Sequence, residues 1–149
     1  MPIYFYSATA AYGCFSNFSA HGIELRGVWW RTTEHYFQAQ KFAGTPHEEA
    51  IRLAKTPKQA AKMGRDRQRP LRADWEDVKD DIMREAVRQK FRTYPELRQV
   101  LLATGNEELI EHAPADYYWG SGADGSGHNR LGQILMEVRD ELRREQAAE

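Results

Sequence analysis

The segment Glu34-His35-Tyr36-Phe37-Gln38-Ala39-Gln40-Lys41 sets an acid, an amide and an amine at a spacing that a helix turns into one row. At about 100° per residue, Glu34, Gln38 and Lys41 fall within a wedge of roughly 60°. His35, Tyr36, Ala39, Phe42 and Ala43 occupy a broad arc on the other side. Two readings of the row are open. It is a solvent-facing stripe, whose acid and base are too far apart in sequence for the usual helix ion pair. Alternatively it faces a pocket, where an amine drawn out of water loses its proton more readily and becomes a nucleophile or an acid/base.

A second concentration of chemistry runs from Asp116 to Gly132. Gly120, Gly122 and Gly125 match G-x-G-x-x-G, with Gly127 and Gly132 following. A dinucleotide fold is excluded, because only 24 residues follow Gly125 and no strand clearly leads in. The physics of anion binding survives that exclusion: glycines let backbone N–H groups approach an anion, and a helix N-terminus adds a favourable dipole. Trp119 offers a ring for stacking. A flexible surface loop is the competing reading.

Charge is unevenly placed. The net charge of −1 contains a stretch from Lys55 to Arg72 with Lys55, Lys58, Lys62, Arg65, Arg67, Arg69 and Arg72 against Asp66 alone. Such a block is either a solvated face or a phosphate-binding patch. Cys14 is the one cysteine, so an intrachain disulfide is ruled out. No Cys/His cluster has zinc spacing, and no histidine pair has the i,i+4 spacing of a helical metal site. The methionines read as packing. A direct nucleic-acid binder is disfavoured by a pI near 6.5 and by the lack of a helix-turn-helix or aromatic-sheet signature.

These residues need elements to hold them. Ile3–Tyr6 reads as a strand, and Ile23–Leu25 with Val28–Trp30 as a hairpin turning at Arg26-Gly27. Thr32 or Thr33 caps a helix over about 34–42, stopped by Gly44. Thr45-Pro46-His47-Glu48 and Thr56-Pro57-Lys58-Gln59 are capping boxes with proline at the first helical position. Further helices are expected over about 75–91 after Asp74, from Pro95 to near Gly105, and over about 131–144 with Leu131, Ile134, Leu135, Val138 and Leu142 as its stripe. Together they predict an α+β fold, mainly α-helical, one domain over residues 1–149, with a small N-terminal β-sheet. No apolar run reaches the roughly 18–20 residues of a membrane span, and no signal peptide is evident, so a cytoplasmic protein is expected.

Several motifs occur together in one order: Phe15-Ser16-Asn17-Phe18, Glu34 to Phe42, Met63-Gly64-Arg65, Asp74-Trp75, Lys90-Phe91, Trp119-Gly120-x-Gly122-x-x-Gly125-x-Gly127-x-Asn129, Leu131-Gly132 and Val138-Arg139. In this the chain resembles the NADAR (YbiA-like) family over nearly its whole length. The segment at His21-Gly22 departs slightly, where some members carry a proline. The resemblance implies a mainly helical domain that hydrolyses the bond between ribose C1 and an exocyclic amine of a heterocycle. Two substrate classes go with it: ADP-ribose on the amino group of guanine, with modified DNA or RNA as the carrier, and phosphoribosylamino-pyrimidine intermediates of riboflavin synthesis. An ADP-ribose-binding module without turnover is the alternative from another class.

That chemistry assigns roles. In one route Glu34 and Asp116 act as an acid and carboxylate pair around an oxocarbenium-like state. In the other, Lys41 forms a Schiff base with the opened sugar and Glu34 shuttles protons, and this route is preferred here. Arg65, Asn129 and the backbone at Gly120, Gly122, Gly125 and Gly127 would hold phosphate or ribose hydroxyls. Trp119, Phe18 or Phe37 would stack on the heterocycle, and Asn17 and Gln38 complete the expected binding set. The scheme requires no metal or cofactor and no membrane.

Overall fold

The computed structural model describes residues 1–149. In chain order its elements are β1 (Ile3–Phe5), a 3-10 turn (Gly13–Phe15), β2 (Ile23–Leu25), β3 (Val28–Trp30), α1 (Thr33–Gln40), α2 (Pro46–Arg52), α3 (Pro57–Gly64), α4 (Trp75–Thr93), α5 (Pro95–Ala103), β4 (Leu109–Glu111) and α6 (Arg130–Ala148). Helix dominates, as the α+β expectation required. None of the helices is long and apolar enough to cross a membrane. The chain divides into two units, one of residues 1–19 with 91–149 and one of residues 20–90.

In the first unit, α6 forms because its apolar residues recur at helical spacing. Leu131, Ile134, Leu135, Val138 and Leu142 are all buried, each burial stabilising by about 1.5–3 kcal/mol. Nothing in Arg143-Arg144-Glu145-Gln146-Ala147-Ala148 breaks a helix, so α6 runs past the expected end to Ala148. α6 packs on β4 and α5. β4 pairs in parallel with β1, Ile3 opposite Leu109 and Phe5 opposite Glu111. The expected sheet is therefore not wholly N-terminal, since half of this ladder comes from residues 109–111. Below it, Phe15 meets Phe5 edge-on at 5.6 Å and Phe91 at 5.9 Å.

The second unit opens with the antiparallel β2–β3 hairpin. Its turn residues Arg26 and Gly27 both have positive φ, 54° and 79°, the combination that matches strand twist in a two-residue turn. Three threonine caps then start three helices. The hydroxyls of Thr32, Thr45 and Thr56 accept from the N–H groups of His35, His47 and Gln59. The capping boxes close one residue further out than the usual form: Glu48 accepts from Gly44 N–H, and Gln59 from Lys55 N–H.

α2, α3 and β3 all pack on α1. Every residue of α1 is buried, the polar ones included. Burial favours polar groups that find a partner within the chain. His35 shows how: its Nε2 donates to the Ala54 carbonyl at 3.0 Å, and its Nδ1 is hydrogen-bonded with the Thr32 hydroxyl at 2.8 Å. Burial, with a smaller push from Arg31, holds its pKa below the ordinary 6.5 against the opposing carbonyl bond, so the ring is neutral near pH 7 and its Nδ1 accepts from Thr32 there.

Candidate active site

The sequence candidates fall into two groups, one in each unit. Glu34, Phe37, Gln38, Lys41 and Arg65 belong to the second unit, on α1 and at the end of α3. Asn17, Phe18, Asp116, Trp119, Gly120, Gly122, Gly125, Gly127 and Asn129 belong to the first.

On α1, Gln38 Nε2 donates to Glu34 Oε2 at 2.9 Å, and both side chains are buried. The stripe is not a solvated surface. The other end of the amide, Gln38 Oε1, is buried with no hydrogen-bond partner. It rests on Gly64, where an added Cβ would sit only 1.9 Å from it. Gly64 is glycine because that amide occupies the space of a side chain.

Lys41 follows at the C-terminal cap. Its Nζ donates to the Gly64 carbonyl at 3.3 Å and lies 5.8 Å from the ring centroids of Phe37 and of Trp75. Those two rings meet edge-on at 5.1 Å. The amine is therefore clamped between one carbonyl and two aromatic walls. Burial lowers its pKa, Glu34 partly offsets this, and the cations of Arg65 and Lys79 push it further down. The result is an amine with more of its free base near neutrality than a surface lysine has.

Lys41 also lines a cavity of about 360 Å³ whose wall includes Gly64, Arg65, Arg67, Arg69 and Trp75. The basic stretch thereby resolves into three parts. Lys55, Lys58 and Lys62 are exposed on or beside α3. Arg65, Arg67 and Arg69 rim the cavity. Arg72 is forked onto Asp74, at 2.6 Å and 3.0 Å, and donates to the Gln40 carbonyl. Trp75, Gly64, Arg67 and Arg69 were not among the sequence candidates. Gly64-Arg65 and Asp74-Trp75 stood in the motifs, yet no helical row linked them to Lys41.

The glycine segment has a different character. Ser121 N–H donates to Glu111, Gly127 N–H to Ser121, His128 N–H to Tyr117 and Asn129 N–H to Gly120. Of the glycine donors expected to face an anion, that of Gly127 is spent inside the chain, while Gly125, Gly127 and Asn129 line a cavity of about 570 Å³ in this unit. The glycines serve this self-packing: a Cβ on Gly127 would lie 2.4 Å from the Gly120 carbonyl oxygen, and one on Gly122 2.2 Å from the Tyr117 ring. Asn129 donates to Leu109 O and accepts from Glu111 N–H, both at 2.9 Å, so its side chain ties the loop to β4. Asp116 Oδ1 accepts from the N–H groups of Tyr118 and Trp119 at 3.0 Å and 2.8 Å, holding the turn that presents Trp119. Trp119 is half-buried against Tyr118, 4.8 Å away and edge-on. Asn17 is buried, and Phe18 leaves 40% of its surface exposed.

Comparison with known proteins places this arrangement. The family model described as the NADAR domain matches residues 4–143. The chain belongs to the NADAR family. An N-glycosidase of Nostoc punctiforme is 53% identical over 146 residues, covering 96% of this chain and 94% of that protein. The N-glycosidase YbiA of Escherichia coli is 53% identical over 140 residues, covering 94% and 88%. The NMR structure of that YbiA superposes with a TM-score of 0.92 at 51% identity, covering 99% of this NADAR chain and 88% of the other. The chloroplastic riboflavin biosynthesis protein PYRR of Zea mays is 43% identical over 155 residues, which are 94% of this chain and 25% of that longer protein.

Proposed function

We propose that this chain is an N-glycosidase that hydrolyses the bond between ribose C1 and an exocyclic amine of a heterocycle, with ADP-ribosylated guanine as its substrate. Two relatives alike over nearly their whole length carry the name N-glycosidase, which supports the bond class. The observation that carries the chemistry is the Lys41 amine, clamped by Gly64, Phe37 and Trp75 and lining a cavity rimmed by arginines.

The preferred route follows from that amine. The sugar ring opens when the bond from C1 to the ring oxygen breaks; the oxygen takes up a proton from solvent, given back when the Schiff base is hydrolysed, and a protonated C1=N imine to the heterocycle is left. The Lys41 amine adds to C1. Glu34, held by Gln38, carries a proton from the Lys41 nitrogen to the nitrogen of the heterocycle. The C1–heterocycle bond breaks, the heterocyclic amine leaves neutral, and C1 stays bound to Lys41 as a Schiff base. Water adds to C1, Lys41 departs, and the aldehyde closes back to the ribose ring. One water is consumed per turnover and the lysine is regenerated. The pairing of Glu34 with Asp116 is the less favoured route, because Asp116 Oδ1 is already committed to two backbone N–H groups.

Arginines at the cavity rim support a substrate with phosphate on the ribose side. The riboflavin-type phosphoribosylamino-pyrimidine is the second reading, favoured by the riboflavin biosynthesis name of the maize relative. Side-by-side turnover of ADP-ribosylated guanine and of that pyrimidine separates them, the former being preferred. Borohydride added during turnover will fix a sugar adduct on Lys41, located by peptide mass. A competent reaction with no adduct there sinks the Schiff-base route, and the Lys41→Arg chain is expected to give neither adduct nor product.

A further inference from the structure

Arg69 lines the cavity that Lys41 enters, and its guanidinium is gripped from behind. Arg69 Nη1 lies 2.6 Å from His47 Nδ1. A guanidinium carries donors only, so that nitrogen of His47 must present its lone pair and the imidazole is neutral. His47 is itself fixed: its N–H is capped by the Thr45 hydroxyl, and its ring stands 5.8 Å from that of Phe42, another wall of the same cavity.

We propose that His47 is a positioning residue that holds Arg69 as a phosphate-binding group in this cavity. The inference rests on the reading of the cavity as the seat of the substrate's phosphates. The choice of a neutral acceptor has a physical reason. A carboxylate at hydrogen-bond distance would orient Arg69 but also cancel its charge. The imidazole orients it and adds no negative charge to the one that Asp66 already brings to this wall. Asp66 stands farther off, 3.5 Å from Arg69 Nε, and that buried Nε has no hydrogen bond. Arg65 and Arg67 lie on the same wall, and like charges so placed repel. Without the His47 grip, Arg69 would spend its time turned toward water, and binding a phosphate would first have to order it.

The test uses inorganic pyrophosphate as the probe, with binding measured by calorimetry, alongside kcat and KM on ADP-ribosylated guanine. His47→Ala is expected to weaken pyrophosphate binding and raise KM by about tenfold, the scale of one charge-assisted hydrogen bond, with kcat nearly unchanged. His47→Asn, whose amide oxygen reaches the place of Nδ1, is expected to restore both. Arg69→Ala should reproduce the loss, and adding His47→Ala to it should cost nothing more. If the wild-type chain binds pyrophosphate and His47→Ala binds it equally well, or the two substitutions add independently, the positioning role is wrong while the phosphate cavity stands. If the wild-type chain turns over substrate but binds no pyrophosphate, the cavity reading is wrong and the role falls with it.

Discussion

A lysine can act as a nucleophile only in its uncharged form, and the surroundings of Lys41 contain opposing influences on that form. Burial and the neighbouring cations favour the free amine, whereas the Glu34 carboxylate favours the ammonium, as do the π-faces of Phe37 and Trp75. The balance lies toward the free amine, so reaction with Lys41 will rise with pH through a midpoint below the ordinary 10.5. Charge changes on either side should move that midpoint in opposite directions. Arg65→Ala removes a like charge and will raise it; Glu34→Gln removes an opposite charge and will lower it. The check is the rate at which an amine reagent labels Lys41 across a pH series, read by peptide mass, because labelling does not depend on Glu34 as a proton carrier. Shifts in the same direction for both variants would show that the amine does not sense these two charges.

The helix carrying that amine is unusual in being enclosed on all sides, and two consequences belong to it. Gly64→Ala would drive a methyl group into the Gln38 amide. Overpacking of this kind costs about 1–3 kcal/mol, and here it also displaces the group that holds Glu34, so kcat should fall on the order of tenfold to a hundredfold. Enzyme assays and denaturation of the same variant will give both numbers. The second consequence concerns His35. Its pKa is depressed in the folded chain, so between that value and 6.5 the unfolded chain binds more protons than the folded one. Its contribution to stability is therefore complete above pH 6.5 and declines as the pH falls toward the folded value. Urea denaturation at pH 7.5 and 5.5 should show a smaller acid loss in His35→Gln than in the parent. Much of this architecture was legible from local chemistry: the three threonine caps, the Arg26-Gly27 turn and the α6 stripe each depend on residues a few positions apart. β4 was not, because its three residues become a strand only through a partner at Ile3–Phe5. Nor was the part played by Trp75, whose contacts Phe37 and Lys41 lie far back in the sequence. At Asp116 and Asn129 the residue types suggested a ligand, while their side chains are occupied with backbone groups. A sequence shows that a polar side chain needs a partner, and only the fold shows whether the chain itself supplies one.

For the chain as a whole, the decisive quantity is how its charge is distributed. A net charge of −1 gives no general attraction to nucleic acid, and the excess of basic residues is confined to Lys55–Arg72. Within that stretch Arg72 is paired with Asp74 and Arg69 more loosely with Asp66, while Arg65, Arg67 and Arg69 face the cavity. A modified nucleic acid bound there would meet about three guanidinium groups. Each phosphate neutralised on a single strand contributes roughly −0.7 to the slope of log affinity against log salt, and about −0.9 on a duplex. If only the two phosphates of ADP-ribose are held, log(kcat/KM) for guanine ADP-ribosylated within an oligonucleotide should therefore fall against log salt with a slope of about −1.4 to −1.8. The free modified nucleoside, which presents the same two phosphates, should then give a slope no steeper than this. A distinctly steeper slope for the oligonucleotide would mean that the exposed Lys55, Lys58 and Lys62 also hold the strand, and replacing those three with glutamine should return it to the nucleoside value. Unmodified DNA should bind weakly at every salt concentration, because the recognition proposed lies in the appended sugar and its phosphates. Tight, salt-sensitive binding of unmodified DNA would instead make the basic stretch a nucleic-acid surface in its own right and would move the phosphate site away from Lys41.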